Sequence, residues 1–134
     1  MNLEAKGDED ILARAWGSIR YALPDSQADA VREALRAMGK ASGQLQARLG
    51  ILASRGQLSE EARQWEGCDN GVRYIKIDRG PGYRIYTFQR GTVWYLVDAG
   101  KKPKKNKRES ACATALRLMQ EHDRLMAERG KSQP

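Results

Sequence analysis

Apolar and polar positions alternate most clearly over residues 72–98, VRYIKIDRGPGYRIYTFQRGTVWYLVD. Three strands are predicted there. Val72–Ile77 alternates, Tyr83–Phe88 alternates again, and Thr92–Val97 is nearly continuously apolar. Arg79-Gly80-Pro81-Gly82 and Gln89-Arg90-Gly91 separate them as turns, and β-branched or aromatic runs bounded by Gly and Pro are the pattern of hairpins. In the first strand Val72, Tyr74 and Lys76 share a face, opposite Arg73, Ile75 and Ile77. In the second, Arg84, Tyr86 and Phe88 oppose Tyr83, Ile85 and Thr87. A spacing of i, i+2 therefore sets Arg84 beside Tyr86. The third strand has no charge before Asp98, which predicts a central, buried position.

Before this meander (71–98) the pattern is helical. Ile11, Leu12, Ala15, Trp16, Ile19 and Leu23 keep a helical spacing up to Pro24. Ile19, Tyr21 and Leu23 also alternate, so a strand at 18–23 stays open. Residues 1–25 are thus an N-terminal extension or a first helix. Asp25 or Ser26 can cap the next helix, whose stripe is Val31, Leu35 and Met38. Gly39 and Gly43 interrupt it, Leu45, Leu49 and Leu52 resume it, and Gly56 closes it. Two antiparallel helices or one bent helix satisfy that pattern. A helical turn is expected at 59–64, so 26–70 reads as helical. After the meander come a basic loop, 99–109, and a last helix, 110–128, with Ala111, Ala115, Leu118, Met119 and Leu125 on its apolar side. His122 reads as a surface residue of that helix. The whole chain, 1–134, reads as one α+β domain.

Charge adds a second asymmetry. The net charge is +7, but residues 1–100 carry 14 Lys/Arg against 13 Asp/Glu, and residues 101–134 carry 10 against 4. Six of the positives lie in Lys101–Arg108. A basic cluster of this kind suits a polyanionic partner. Cys68 and Cys112 stand 44 positions apart with no metal-site spacing around them. They read as two reduced thiols of a cytoplasmic protein. No apolar segment follows a basic start as in a secretion leader, and no run is long enough for a membrane span. The expectation is a protein with no metal, no cofactor and no membrane contact.

No GxSxG, HExxH, Walker A or GxGxxG motif is present, and one histidine excludes a two-histidine mechanism. RNA cleavage needs none of these. The 2′-OH attacks the adjacent phosphate, so the site must align the bond, stabilise a more negative phosphorane and move two protons. Arg and Lys supply charge, and Tyr or Lys can move protons. Arg73, Lys76, Arg79, Tyr83, Arg84, Tyr86 and Arg90 are candidates for that set. Lys101, Lys102, Lys104, Lys105 and Lys107 are candidates for backbone contact.

Tyr74-Ile75-Lys76-Ile77, then Gly80-Pro81-Gly82-Tyr83-Arg84-Ile85-Tyr86, then Val93–Val97 and Gly100-Lys101-Lys102 form a recognisable series. Over roughly residues 44–120 the chain resembles the RelE/ParE superfamily of toxin–antitoxin toxins, in particular its phage-derived HigB-like branch. The resemblance implies a small antiparallel sheet with two N-terminal helices packed on one side and a C-terminal helix. It implies a metal-independent, ribosome-associated mRNA endonuclease, neutralised by a cognate antitoxin protein. By position Lys76, Arg84 and Tyr86 match the family's catalytic residues. Arg73, Arg79, Arg90, Lys101, Lys102, Lys104, Lys105 and Lys107 would then contact mRNA or ribosomal RNA. The family's usual loop Gln and Asp are missing here, where Lys104, Lys107 and Ser110 stand. The alternative is a non-catalytic protein of that fold that inhibits a target such as gyrase, or binds nucleic acid through its basic loop.

Overall fold

The computed structural model describes residues 1–132. Along the chain lie β1 (Leu12–Ala13), β2 (Ser18–Tyr21), α1 (Asp25–Arg36), α2 (Ser42–Arg55), β3 (Trp65–Gly67), β4 (Arg73–Ile77), β5 (Tyr83–Arg90), β6 (Val93–Lys101) and α3 (Arg108–Ser132). Short 3₁₀ turns precede α2 and α3. The strands form one sheet in the order β1-β2-β6-β5-β4-β3. All pairs are antiparallel except β2–β6. The parallel pair joins strands far apart in the chain: α1 and α2 carry it from β2 to β3 at the opposite edge, and β3, β4 and β5 lead back to β6.

The sheet is covered on both faces. Toward α1 and α2, Ile19, Ile75, Ile77, Ile85, Trp94 and Leu96 meet Val31, Leu35, Leu45, Leu49 and Leu52. Toward α3, Val72, Tyr74, Tyr86, Phe88, Tyr95 and Val97 meet Ala115 and Met119. The period-2 alternation of β4–β6 thus sorts two apolar sets rather than an inner set and a wet one. β6 lies inside the sheet, as its lack of charge requires.

Several expectations need correction. Residues 11–23 form no helix, and the strand left open at 18–23 is the one observed, as β2. They make the β1–β2 hairpin, in which Ile19 pairs with both Leu12 and Trp94. Gly17 lies so close to Thr92 that a Cβ would fall 1.9 Å from its carbonyl oxygen. Pairing with a strand 75 residues away overrides the local helical spacing. The first ten residues are anchored over this edge. Arg32 donates to the carbonyls of Leu3 and Ala5 at 2.7 and 3.2 Å. The interval 26–70 is not all helical either, because it ends in the three-residue β3. The interruption at Gly39–Gly43 separates two helices rather than bending one. The basic loop is shorter than expected, since β6 runs to Lys101 and α3 starts at Arg108. The last helix extends past 128 to Ser132, and residues 133–134 lie outside the described part.

Gly56 does close α2, in the left-handed region (φ 81°). A Cβ there would meet the Trp16 ring at 2.4 Å, and the Gly56 carbonyl accepts from Trp94 Nε1 at 3.0 Å. Glycine is therefore required twice over at this position. His122 is not on the surface. Its side chain is buried on the sheet side of α3 against both Phe88 and Tyr95, and its Nδ1 meets the Ala22 carbonyl at 2.6 Å. Among the described residues no helix is long and apolar enough to cross a membrane.

The two cysteines are not free thiols. Cys68, after β3, and Cys112, in the first turns of α3, are joined in a disulfide with their Cα atoms 5.6 Å apart. The bond fastens α3 to the β3–β4 turn. A loop of this length stabilises the fold by about 4 kcal/mol through the unfolded state. Oxidised protein unfolded in denaturant should show no free thiol by thiol titration. Reduction, or Cys68→Ser with Cys112→Ser, should lower the unfolding free energy by up to about that amount.

Candidate nucleic-acid interface

Two rows of side chains cross the α3 face near the start of that helix. Lys76 on β4 pairs directly with Arg84 on β5, which pairs with Gly100 on β6. The next row is Glu66, Tyr74, Tyr86 and Asp98. Like charges placed opposite each other across an antiparallel pair are unfavourable, so the Lys76–Arg84 pairing has a cost that packing does not explain.

The two cations are handled differently. Lys76 Nζ donates to Glu66 Oε1 at 2.9 Å. The Tyr74 hydroxyl donates to the other oxygen of the same carboxylate in a very short hydrogen bond. Tyr74 first, then Lys76, holds the Glu66 carboxyl below its ordinary range. Burial, then the bond to Glu66, pushes the Tyr74 phenol up to about 12, so it stays protonated. Arg84 is only 4% exposed. Its guanidinium lies over the Tyr74 ring, 4.3 Å from the centroid. Among the described residues no carboxylate lies within ion-pair distance of it. Buried arginines normally have such a partner.

Arg84 lines a polar cleft of about 140 Å³ together with Lys76, Lys102 and Arg108 on the basic side and Glu66 and Asp78 on the acidic side. Lys102 is placed there by its backbone, whose N–H donates to the Gly82 carbonyl at 3.0 Å. Arg108 is placed by the start of α3. Four cations against two carboxylates make a cradle for an anion the size of a phosphate group.

Tyr86 belongs to the adjoining row, 5.7 Å from Tyr74 between ring centroids. Its hydroxyl is buried and has no hydrogen-bond partner of normal geometry. Burial pushes its pKa up, while the Arg84 guanidinium draws it back, first through a hydrogen-bonding contact short of normal geometry and then through its charge. Asp98 reaches this face through a bulge. Thr87 pairs with Leu96 but Tyr86 pairs with Asp98, so Val97 is an extra residue in β6. Burial raises the Asp98 pKa, opposed by a hydrogen bond from the Ala99 N–H at 3.0 Å.

The other candidates separate. Arg73 points to the opposite face, over Trp65 at 4.5 Å and paired with Glu60 at 3.1 Å. Arg90 sits at the far end of β5, held by both Asp123 oxygens. Arg79 is exposed in the β4–β5 turn and lines a separate hollow with Lys40. Lys101 is opposite Tyr83 in register, on the α1/α2 side. Lys104, Lys105 and Lys107 are exposed on the approach to α3. The structure therefore unites Lys76, Arg84 and Lys102, places Tyr86 beside them, and leaves Arg73 and Arg90 elsewhere. Three members have no place in the sequence-based set: Glu66, Tyr74 and Arg108. Tyr74 shares the alternating face of Lys76 and could have been included on that ground. Glu66 lies in a three-residue strand with no alternation to reveal it. Among the described residues no three His, Cys, Asp or Glu side chains converge to hold a metal. In comparisons with protein-family models, curated proteins and solved structures, nothing matches this chain.

The raised Asp98 pKa has a defined sign. A carboxyl whose folded pKa exceeds its unfolded one costs nothing below the ordinary range, and it weakens the fold as pH rises through the folded value. Asp98→Asn keeps the acceptor for the Ala99 N–H and should raise the unfolding midpoint at pH 7. The gain should vanish below about pH 4, where both states carry the proton. Denaturant melts of both proteins at pH 7 and pH 3 check this.

Proposed function

We propose that the Arg84 cleft binds the backbone of single-stranded RNA and promotes its cleavage, with the 2′-OH attacking the adjacent phosphate. The observation that carries this reading is Arg84 itself: a nearly buried guanidinium without an ion-pair partner, opening on a cleft that it shares with Lys76, Lys102 and Arg108. Arg84 and Arg108 hold the non-bridging oxygens and stabilise the phosphorane. The 2′-OH proton passes to Glu66, which is held ionised, and Lys76 gives a proton to the departing 5′ oxygen. The O2′–P bond forms, the P–O5′ bond breaks, and the products are a 2′,3′-cyclic phosphate and a 5′-OH. Tyr74 positions Glu66 and, with its raised pKa, does not itself donate. Lys104, Lys105 and Lys107, exposed on the approach to α3, would contact flanking phosphates.

The resemblance to the RelE/HigB-like toxins supplies the biological setting of the proposal. The target is mRNA at the ribosome, the compartment is the cytoplasm, and a cognate antitoxin restrains the protein. In a cytosol the Cys68–Cys112 bond must withstand the thiol pool there. A second reading draws on the buried Tyr86 hydroxyl and on the engagement of Lys76 by Glu66. These favour a protein of the same kind that binds nucleic acid, or a protein target such as gyrase, without cutting.

Induction of the wild-type chain should arrest growth and leave new 5′ ends on a reporter mRNA, read by primer extension. Arg84→Ala should abolish both while the protein stays folded. Purified protein added to purified ribosomes programmed with an mRNA should leave the same new 5′ ends. Harmless induction with no new ends removes the nuclease reading. Retention of salt-sensitive RNA binding without turnover selects the second one.

A further inference from the structure

Beside the phosphate cleft lies a larger and more apolar hollow of about 400 Å³. Arg84 and Arg108 line both, so the two are contiguous. The hollow falls in the size class of small-ligand clefts, roughly 300–1,000 Å³. Its apolar walls are the Cys68–Cys112 disulfide, Ala113, Leu116 and the Tyr74 ring. A flat, partly apolar group joined to a phosphate is what a nucleobase on its sugar phosphate presents, and single-stranded RNA is read through such exposed bases.

The polar rim narrows the choice of base. Asp69 and Glu109 both line the hollow, and both are exposed. Neither has a hydrogen-bond or ion-pair partner for its carboxylate among the described residues. The Asn70 side chain is already engaged. Its Oδ1 accepts from the Val72 N–H at 3.1 Å, and its Nδ2 points to the Cys112 carbonyl at 3.5 Å. With Arg84 and Arg108 assigned to the phosphate, what the rim offers a base is acceptors. A carboxylate accepts two parallel N–H bonds. The Watson–Crick edge of guanine presents N1–H and N2–H₂ side by side. Adenine and cytosine set a ring acceptor next to the amine, and uracil flanks its single N–H with two carbonyls, so each would face a carboxylate with a repelling lone pair. The disulfide also fixes the rim. Cys68 adjoins Asp69, and Cys112 stands three residues after Glu109 on α3, a spacing that keeps the two on neighbouring positions of the helix surface.

We propose that this hollow is a guanine-binding subsite for the nucleotide whose phosphate sits at Arg84. The proposal rests on the RNA reading above, and the test separates the two. The oxidised full chain is titrated calorimetrically with GMP, AMP, CMP and UMP at one ionic strength, and in parallel with a single-stranded RNA. GMP should bind tighter than the other three by about tenfold or more, the discrimination a bidentate contact supplies. Asp69→Asn combined with Glu109→Gln should bring that ratio close to one. Both positions are exposed, and the left-handed backbone at residue 69 (φ 63°) suits Asn, so the variant should fold. Arg84→Ala should weaken all four nucleotides alike. Equal binding of the four by the wild type, or a guanine preference that survives the double substitution, overturns the guanine subsite alone. Absence of binding to any nucleotide and to the RNA overturns the RNA reading with it.

Discussion

A sheet that is apolar on both faces must be covered on both, and this constraint orders the molecule. α1 and α2 meet one face through leucines, and α3 meets the other through Ala115 and Met119. The first turns of α3 are tied to the β3–β4 turn by the disulfide, and beside them the sheet face turns polar. Lys76, Arg84, Glu66 and Asp98 occupy positions on the same face that Val72, Phe88, Tyr95 and Val97 fill with apolar groups farther along. The cleft is thus a gap in a hydrophobic layer, and Arg84 is the cation held at its floor. Burying a guanidinium without a carboxylate is costly. The stacked Tyr74 ring offsets part of that cost, and an incoming anion would offset the rest.

The disulfide belongs to the same arrangement. It fixes the start of α3, and with it Arg108, against the β3–β4 turn. Gly100, opposite Arg84 in the register, contributes no side chain, and a Cβ added there would meet nothing within 4 Å. Space is therefore kept over the guanidinium from β6 while α3 closes the side.

What the chain revealed in advance was the short-range pattern. The alternation of Tyr83–Phe88, the uncharged third strand and the stop at Gly56 were legible because each is decided by neighbours within a few residues. The pairing of Lys76 with Arg84 follows from a hairpin whose turn was also legible. The remainder depends on distant contacts. Residues 11–23 keep a helical spacing but take their conformation from β6. Cys68 and Cys112 meet only because α3 returns across the sheet. Glu66 joins Tyr74 and Lys76 through a strand too short to show a period. Asp98 reaches the site face because of the bulge at Val97, which simple alternation places on the other side. His122 continues the series Ala115, Met119 on α3, and that spacing was the available sign of its burial.

The proposed function stands on the Arg84 guanidinium being an anion site. The most direct measurement follows the Arg84 Nε–H resonance by ¹H–¹⁵N NMR while inorganic phosphate is added at constant ionic strength. A saturable shift of that resonance is expected at lower phosphate than any effect on the exposed Lys104–Lys107 segment. An Arg84 resonance that stays in place while only the lysine segment responds would rule out an anion site at the guanidinium.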